Sequence, residues 1–357
     1  MRRLKILHVI LDLHYGGMQK VLVSLLHATH PALENRVVVM SMGRDLVEAL
    51  PEGVLVPFVQ PRSRLSMLWP ARLAAVIRSE APDIIHTHSG TWYKVAKAAH
   101  LAGVRRVVYT DHGRPYPESP IGVRFDRLAS SRTSAVVAVS DQLEERLRQF
   151  VAYPDRVTTI LNGIDTGRFT PRIVGSVEGE TVIGSVGRLD PVKGFDVLIG
   201  AFSQVRAEST RPVRLIIAGD GPCREELERQ ITARGLEDAV ELIGWCSDVP
   251  SFLQTLDIYC QSSFSEGTPL SVLEAMSCGV CPVVTSVGGN PFVLGESLAH
   301  RLVPPRDEAA LAQALAVAVQ DSGRRLLDGA VARSRVVETF GVEQMAQAYQ
   351  SLYASLV

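Results

Sequence analysis

Short apolar runs recur along the first half of the sequence, and most are separated by stretches whose apolar residues have helical spacing. A continuous apolar run of this length predicts a strand buried on both faces, as in a parallel sheet. The predicted strands are Leu4–Leu11, Arg36–Met42, Val54–Val59, Asp83–His88, Arg106–Asp111 and Ala135–Val139, and the predicted helices include Leu65–Ser79, Trp92–Ala102 and Gln142–Phe150. This alternation is typical of a doubly wound parallel sheet.

The same alternation restarts in the second half, after a segment at Val174–Glu180 that is rich in glycine, serine and glutamate and has no periodicity. We interpret that segment as an interdomain linker. The second set of predicted strands is Val182–Val186, Arg214–Ala218, Val240–Ile243 and Asp257–Cys260, with helices that begin at Phe195 and Cys223 and a helix near Val249–Leu256. A last helix is predicted over Val342–Leu356. The sequence therefore predicts an α/β protein with two Rossmann-like domains, divided after residue 165.

A polar turn and a helix follow the strand that ends at Cys260. Thr268 is a good N-cap residue, and Pro269 would then occupy the first helical position, where its missing N–H costs nothing. The amides at such a helix start form an anion site. Glu274 lies about five residues further on, or roughly 7 Å at ~1.5 Å per residue, a spacing that suits a phosphate at the helix start and a ribose diol on the carboxylate. Glu266 lies on the turn itself.

Several other residues that could bind a ligand or take part in a reaction are predicted to lie at the carboxyl ends of strands, where open α/β sheets bind ligands. Gly16 and Gly17 follow the first strand, and they do not form the Gly-x-Gly-x-x-Gly pattern of dinucleotide-binding enzymes. Arg188 closes the first strand of the second half and Lys193 precedes its helix, so both cations can meet one anion. Fixed positive charge there would favour an anionic ligand.

His86 and His88 point to one face of a predicted strand, but no carboxylate or third histidine is close to them in sequence, so we expect no metal site.

Composition narrows the class of protein. The 357 residues suffice for two domains of about 170 residues, and 46% of them are hydrophobic while 21% are charged. The net charge of −1 gives no long-range attraction to nucleic acid. No apolar stretch approaches the length of a membrane span. We therefore expect a cytoplasmic protein, with peripheral contact at the inner face of the membrane left open as an alternative.

The five cysteines all fall in the second half and form no disulfide-like framework. Cys278 and Cys281 form a Cys-x-x-Cys pair, but no second ligand pair stands at matching spacing. We expect these two to be small buried residues at a helix-to-strand junction.

The stretch from Ser265 to Glu274 resembles the retaining nucleotide-sugar glycosyltransferases of family 4, the group 1 glycosyltransferases. The resemblance rests on the motif of two glutamates separated by seven residues, here Glu266 and Glu274, together with Gly279 and Pro282–Val284. His112, which is followed by glycine at a strand end, and the pair Arg188 and Lys193 match further family positions. Asp111 departs slightly from the Thr or Glu that the family commonly has before this histidine.

The resemblance covers nearly the whole chain and implies the GT-B architecture, with two Rossmann-like domains that face a central cleft. It implies that the first domain holds the acceptor, that the second holds a UDP- or GDP-sugar, and that the last helix, 342–357, packs back on the first domain. No Asp-x-Asp occurs near a strand end. The implied activity is metal-independent transfer of a hexose-type sugar with retention, in polysaccharide, glycolipid or small-molecule glycoside biosynthesis, with no cofactor and no nucleic-acid partner.

The resemblance also implies roles for single residues. Arg188 and Lys193 would bind the diphosphate together with N–H groups near Thr268, Pro269 and Leu270, which follow Gly267. Glu274 would hold the ribose, Glu266 the hydroxyls of the donor sugar, and His112 the sugar near its anomeric carbon. Gly16 and Gly17 would line the phosphate side, and the loop at Cys246 would contact the base.

Three alternatives stay open at this point. A nucleotide-sugar epimerase or hydrolase on the same scaffold would consume the donor without an acceptor, and a non-catalytic binding protein would not turn over. A Rossmann oxidoreductase is disfavoured by the missing glycine pattern.

The sequence does not identify the acceptor, but it offers candidates for the acceptor pocket. These are the loops at Tyr15, Arg62–Met67, Trp92 and Arg114–Ser119. Arg62 and Arg64 would suit either a membrane surface or an ordinary solvated loop.

Overall fold

The computed structural model describes residues 2–41, 43, 45–57, 69–113, 120–172 and 179–357. The chain divides into two compact units: one consists of Met1–Gly163 with Val342–Val357, and the other of Ile164–Gly341. The predicted acceptor loops Arg62–Met67 and Arg114–Ser119 lie outside the described residues, as does most of the predicted linker.

The first unit has six described strands and the helices that connect them. The strands are β1 (Lys5–Ile10), β2 (Glu34–Val39), β3 (Ile84–His88), β4 (Val107–Asp111), β5 (Ala135–Ala138) and β6 (Val157–Thr159). The helices are α1 (Gly17–Thr29), α2 (Ala71–Glu80), α3 (Trp92–Ala102), α4 (Pro120–Ser130) and α5 (Asp141–Phe150). The last helix of the chain, Val342–Ser355, also belongs to this unit and packs against α1.

The strands of the first unit form a parallel sheet in the order β2-β1-β3-β4-β5-β6. The chain moves outward from β1 to β2 and then returns to the other side of β1 as β3. The strand order therefore reverses between β1 and β3, and in open α/β sheets ligands bind beyond the carboxyl ends of the strands at such a reversal.

The second unit is also built from six described strands and the helices that connect them. Its strands are β7 (Thr181–Val186), β8 (Val213–Ala218), β9 (Val240–Gly244), β10 (Ile258–Gln261), β11 (Cys281–Thr285) and β12 (Leu302–Val303). Its helices are α6 (Phe195–Glu208), α7 (Arg224–Ala233), α8 (Val249–Gln254), α9 (Leu270–Ser277), α10 (Asn290–Leu294), α11 (Glu308–Gln320) and α12 (Ser322–Thr339), so the last helix, Val342–Ser355, is α13.

The parallel sheet of the second unit has the order β12-β11-β10-β7-β8-β9, and its reversal lies between β7 and β10. Burial of the apolar strands on both faces stabilises the unit. Ile183, Leu215, Ile258 and Val283 are all completely buried and belong to one core with residues of α6 and α11. The two-domain α/β fold predicted from the alternation is confirmed.

Three local predictions differ from the structure. Val54–Val59 contains no strand in its described part, where Leu55 makes a single bridge to Val37. Helix α4 was not predicted, and its apolar residues Ile121 and Leu128 are exposed. Helix α9 begins at Leu270 and not after Thr268, as discussed below.

The two cysteines of the Cys-x-x-Cys pair lie where the sequence predicts. Cys278 is the residue that ends α9 and Cys281 is the first residue of β11, and both are buried free thiols. Burial raises the pKa of each thiol to about 12. Thiols of such high pKa are unreactive, which agrees with a packing role.

Three histidines lie side by side in the core of the first sheet. His8 of β1 is the register partner of His86 of β3, and His88 lies two residues along the same face. Burial lowers the pKa of His8 to about 4 and lowers the pKa of His86 and His88 well below the usual value. All three rings are therefore neutral at pH 7.

Helix α13 covers part of this histidine group. The hydroxyl of Tyr353 lies 2.6 Å from Nδ1 of His86, while Nε2 of the same ring lies 2.7 Å from the hydroxyl of Thr110. The hydroxyl of Tyr349 in turn lies 3.0 Å from that of Thr110. Hydrogen bonds as well as apolar contacts thus hold the last helix on the first sheet.

Replacement of Tyr353 with phenylalanine should destabilise the first unit by about 1–3 kcal/mol, because it leaves a buried nitrogen of His86 unpaired. Urea unfolding measures the effect. Tyr153→Phe is the matched control, since Tyr153 is exposed and its ring contacts the Arg156 guanidinium. Equal losses in the two variants would contradict the contribution of the buried hydrogen bond.

The first unit should lose stability as the pH falls from about 6.5 to about 4. In this window the histidines of the unfolded chain take up protons while the buried rings do not, so acid favours unfolding. His8 alone accounts for about 3 kcal/mol by pH 4 at about 1.4 kcal/mol per pKa unit. His14 acts in the opposite direction, because hydrogen bonding to Asp45 raises its pKa.

Hydrogen exchange in urea at pH 7 and pH 5 would measure this loss for β1 and β3. Peptides from β7 and β8 are the internal control, because His300 is the one histidine in the sequence of the second unit. A loss in β1 and β3 no larger than in β7 and β8 would contradict the role of the histidines.

Candidate functional site

The strand reversal in the second sheet brings two predicted segments to one edge. Arg188 and Lys193 follow β7, and Glu266 follows the neighbouring strand β10. The sheet topology therefore places these side chains where ligands bind in folds of this class, independently of any sequence motif.

A short ion pair joins the two segments. The Lys193 ammonium donates to Oε1 of Glu266 over 2.6 Å, and the Ser263 hydroxyl donates to the same oxygen over 2.6 Å. The Lys193 side chain is 28% exposed and that of Glu266 is 10% exposed. Oε2 of Glu266 has no hydrogen-bond partner among the described residues, so the carboxylate keeps one oxygen for another donor.

Backbone contacts hold the ion pair in place. The Phe264 amide donates to the Val192 carbonyl over 2.7 Å, and the Ser262 hydroxyl donates to the Lys193 carbonyl over 3.0 Å. Gly194, with φ of +62°, ends the short helical turn Pro191–Lys193, and a Cβ atom there would collide with the Ser262 carbonyl. Glycine is required at this position for both reasons.

The loop after β11 supports the Glu266 turn from the other side. The Gly289 amide donates to the Gly267 carbonyl over 3.0 Å, and the Thr285 hydroxyl donates to the Ser263 carbonyl over 2.7 Å. Gly288 has φ of +51°, and a side chain there would collide with the Glu266 backbone. Glu266 is therefore fixed by contacts from two neighbouring loops.

The start of α9 differs from the prediction. The helix begins at Leu270, with Pro269 as its N-cap residue and no side-chain cap. The Leu270 amide already donates to the Thr268 carbonyl over 3.0 Å, and Pro269 has no N–H. In the described chain, the amides of Thr268 and Ser271 have no backbone or side-chain acceptor, so they are the donors that this helix start offers to an anion.

The Thr268 side chain does not cap the helix. Its hydroxyl oxygen is buried and has no partner among the described residues. The sequence pattern failed here because the turn from Glu266 to Pro269 follows the contacts with Gly288 and Gly289, which a local capping rule does not include.

Glu274 lies on α9 and is 4% exposed. It shares its surroundings with Tyr259 of β10, whose hydroxyl donates to the Val186 carbonyl over 3.4 Å. Burial raises the pKa of Tyr259, and the nearby carboxylates of Glu274 and Glu266 raise it further. The structure therefore brings both predicted glutamates close to one buried phenol.

Arg188 and Cys246 lie at the same sheet edge but further from the ion pair. The Arg188 side chain is 71% exposed and pairs with Asp190 over 3.0 Å, so it does not contact Lys193 or Glu266. Cys246 follows the edge strand β9, and the Gly219 amide links that strand end to β8 by donating to the Gly244 carbonyl over 2.7 Å. Cys246 is partly buried.

Sequence reasoning singled out neither Ser263 nor Arg306, and it placed Asn290 in a glycine turn near the donor sugar without giving its side chain a role. Asn290 is completely buried and donates to the side-chain oxygen of Gln261 and to the Thr285 carbonyl, each over 2.7 Å. The Arg306 guanidinium lies 4.0 Å from the centre of the Phe264 ring. Asparagine after two glycines indicates a turn, but nothing in the sequence shows that it is buried.

In the first unit, Gly16 lies between β1 and α1 at the strand reversal, and Gly17 is the first residue of α1. Gly16 is the N-cap residue of α1 and has an extended backbone. A Cβ atom there would collide with the side chain of Gln19, whose amide donates to Asp12 over 2.8 Å. Close packing against Gln19, and not a left-handed conformation, therefore explains the glycine.

His112 follows β4 and is held by its neighbours. Its amide donates to the Ser89 hydroxyl over 2.9 Å, and its Nε2 lies 3.1 Å from Nδ1 of His88. Burial lowers the pKa of His112 to about 4, although the Asp111 charge opposes the shift. Nδ1 of His112 is buried and has no partner in the part of the chain that the structure describes.

Asp111 organises this strand end. Its carboxylate accepts from the Gly113 amide over 2.9 Å and from the Tyr109 hydroxyl over 3.0 Å. Gly113 has φ of +89°, a conformation that favours glycine. The pattern of aspartate, histidine and glycine therefore builds a tight turn that fixes the His112 backbone.

Tyr15 and Trp92, which mark two of the loops proposed for an acceptor pocket, differ in exposure to solvent. Tyr15 is 52% exposed, as a binding residue would be. Trp92, in contrast, is 3% exposed, stacks on Tyr109 at 3.8 Å and donates to the Thr133 hydroxyl over 2.9 Å. The Trp92 indole therefore fills the core of the first unit, and the role of the loop around it in an acceptor pocket stays a prediction.

Among the described residues, no helix combines the length and the apolar character that a bilayer crossing needs.

Sequence profiles of known families match both units. The profile described as Glycosyltransferase Family 4 matches residues 15–168, and the profile described as Glycosyl transferases group 1 matches residues 168–329. The second match contains Lys193, Glu266 and Glu274.

Named relatives and solved structures agree with the profiles. The Escherichia coli UDP-Gal:alpha-D-GlcNAc-diphosphoundecaprenol alpha-1,3-galactosyltransferase is 26% identical over 304 residues, which cover 80% of this chain and 78% of that protein. The lipopolysaccharide core biosynthesis mannosyltransferase LpsB of Rhizobium meliloti strain 1021 is 31% identical over 242 residues, which cover 63% of this chain and 67% of LpsB.

The crystal structure of Anabaena Alr3699/HepE in complex with UDP and glucose superposes with a TM-score of 0.84 at 23% identity, and the match covers 99% of this chain and 100% of that one. This likeness shows the shared fold. With the profile matches and the 31% identical relative, it leads to one conclusion: the chain belongs to the group 1 glycosyltransferases and is an enzyme of GT-B fold.

Proposed function

We propose that this enzyme transfers a hexose-type sugar from a UDP-sugar to an acceptor hydroxyl, with retention at the anomeric carbon and without a divalent cation. The observation that carries the proposal is the Lys193–Glu266 ion pair at the strand reversal of the second sheet. Uridine is favoured over guanosine because the E. coli relative is named for UDP-Gal and the Anabaena structure contains UDP.

Lys193 would bind the diphosphate. Its ammonium has three N–H donors, and Glu266 takes one of them. The other two, with the amides of Thr268 and Ser271, would face phosphate oxygens. Positive charge fixed at this point stabilises the leaving diphosphate more in the transition state than in the ground state. This supports catalysis without a metal ion, as does the lack of Asp-x-Asp at the strand ends.

The two glutamates would bind hydroxyl groups of the donor. Oε2 of Glu266 is the oxygen left for the sugar, since Oε1 is taken by Lys193 and Ser263. Glu274 would accept from the ribose diol. Arg188 would reach the diphosphate only after it leaves Asp190, so we assign it a supporting role. Cys246 and its loop would contact the base.

Residues of the first unit would complete the reaction. His112 would contact the donor sugar near its anomeric carbon, and Gly16 and Gly17 would let the backbone approach a phosphate. For retention, the acceptor would attack from the face of the leaving group, and the departing phosphate would help to deprotonate it. The acceptor named for the E. coli relative is lipid-linked, and an acceptor of that kind would bring the enzyme to a membrane surface.

A screen of UDP- and GDP-sugars by thermal shift, followed by acceptor trials with EDTA present, tests the proposal. We expect a UDP-sugar to stabilise the protein and to be consumed only when an acceptor is present, with retained configuration in the product by NMR. Donor consumption without an acceptor would indicate hydrolysis or epimerisation, and turnover that EDTA abolishes would contradict metal independence.

Lys193→Ala should lower turnover by about 100-fold or more, the usual effect of removing one group that stabilises transition-state charge. Steady-state kinetics with the best donor and acceptor measure the change. Arg211→Ala removes an exposed positive charge from the same unit and should leave turnover unchanged. Wild-type turnover in Lys193→Ala would remove this residue from the mechanism.

Glu274→Gln should weaken UDP binding by about 1.5–3 kcal/mol, the size of a charge-assisted hydrogen bond. Calorimetry with UDP and with 2′,3′-dideoxy-UDP separates the ribose contact from other effects. The dideoxy nucleotide should bind wild type and variant equally, because it lacks the hydroxyls in question. A loss of affinity that is the same for both nucleotides would contradict the ribose role.

A further inference from the structure

A line of buried polar side chains connects the interior of the first sheet to His112. Nδ1 of His8 lies 3.4 Å from Nε2 of His88, and Nδ1 of His88 lies 3.1 Å from Nε2 of His112. Asn35 of β2 stands beside His8 and is 4% exposed. We call Asn35, His8, His88 and His112 the histidine chain.

Each ring of the histidine chain is neutral at pH 7, because burial disfavours the charged form. A neutral imidazole has one N–H donor and one lone pair. In a line of such rings every hydrogen bond must run in the same direction. Either each ring donates toward Asn35, or each ring donates toward His112.

Asn35 decides between the two directions. Its side-chain nitrogen donates to the Thr29 hydroxyl over 2.9 Å, and that hydroxyl donates to the Leu25 carbonyl over 2.7 Å. The Asn35 Oδ1 atom is thereby left as an acceptor. Within the described chain, Oδ1 of Asn35 and Nε2 of His8 are both buried, and neither has a hydrogen-bond partner. Of the two neutral tautomers of His8, only the one with its proton on Nε2 offers this acceptor a donor.

The remaining protons then follow in order. Nδ1 of His8 accepts from Nε2–H of His88, and Nδ1 of His88 accepts from Nε2–H of His112. His112 keeps a lone pair on Nδ1, the buried atom that has no partner among the described residues.

We propose that Asn35, His8 and His88 are positioning residues that hold His112 as its Nε2–H tautomer, so that Nδ1 accepts a hydrogen bond from a hydroxyl of the donor sugar. The inference rests on the proposed function for the identity of that hydroxyl. The opposite tautomer would present an N–H, which cannot accept from a hydroxyl, and it would favour a different group of the substrate.

A metal ion is the competing explanation for these histidines. Among the described residues, His8, His86 and His88 have ligand atoms within 4.8 Å of one another. However, both ring nitrogens of His86 are already hydrogen-bonded, to Tyr353 and to Thr110. Hydrogen bonding within the sheet therefore accounts for the group better than coordination does.

NMR of ¹⁵N-histidine-labelled protein tests the proposal, because protonated and bare ring nitrogens have well-separated shifts. In the wild type we expect His112 as a single Nε2–H tautomer. In Asn35→Leu the acceptor is lost, and His112 should become a mixture of tautomers. Sugar transfer should fall about tenfold in kcat, the effect of one hydrogen bond, while affinity for UDP is unchanged.

Thr87→Val is the matched control. Thr87 lies between His86 and His88 on β3 but on the opposite face, where its hydroxyl bonds to Thr91. This variant loses a buried hydroxyl without touching the histidine chain and should keep both the His112 tautomer and the activity. If Asn35→Leu does not fold, His8→Leu interrupts the chain at another point and should give the same mixture.

The outcomes separate the two proposals. A wild-type Nδ1–H tautomer, or a tautomer unchanged in Asn35→Leu and His8→Leu, would overturn the positioning role even if the enzyme transfers sugar. A stoichiometric metal in the purified protein that His86→Gln removes would also overturn it. An Nε2–H tautomer in an enzyme that transfers no sugar would sustain the histidine chain while the proposed function fails.

Discussion

The ion pair between Lys193 and Glu266 is the interaction on which the second unit's site depends. Both side chains are largely removed from water, and an isolated charge there would be costly. Each charge has its partner at hydrogen-bond distance, and the Ser263 hydroxyl is a second donor to Glu266. The glycines and backbone hydrogen bonds around the ion pair fix its geometry. This matters because a buried ion pair is favourable only when its geometry is held.

The first unit also has a six-stranded parallel sheet, but its strand order differs and different side chains lie at its strand reversal. Its strand reversal has neutral imidazoles where the second unit has opposite charges, because burial keeps four histidines unprotonated. A neutral imidazole donates a hydrogen bond on one side and accepts one on the other, so the tautomer of one ring sets that of the next. Such rings supply no net charge. One unit thus offers fixed charge suited to an anion, and the other offers an oriented lone pair suited to a hydroxyl.

The sequence predicts the sheets well because most strands are runs of residues that are buried on both faces. It also predicts that Cys278 and Cys281 are packing residues. It fails where a residue's role depends on a distant loop: Thr268 resembles an N-cap, but contacts with Gly288 and Gly289 set the turn. Trp92 is core, and the partner of His88 comes from another strand. Only the fold brings these residues together.

In the proposed function Glu266 would lie beside a diphosphate, and a carboxylate in that position would repel it. Lys193 would offset this repulsion, because its ammonium is bonded to Oε1 of Glu266, screens that oxygen and still has two N–H donors for phosphate. The pair as a whole is neutral, and its dipole has its positive end on Lys193. A growing negative charge on the leaving group would then meet the positive end, while Oε2 of Glu266 stays available to a hydroxyl. Such an arrangement needs no reorganisation as the bond breaks, which is the condition for stabilising a transition state more than a ground state.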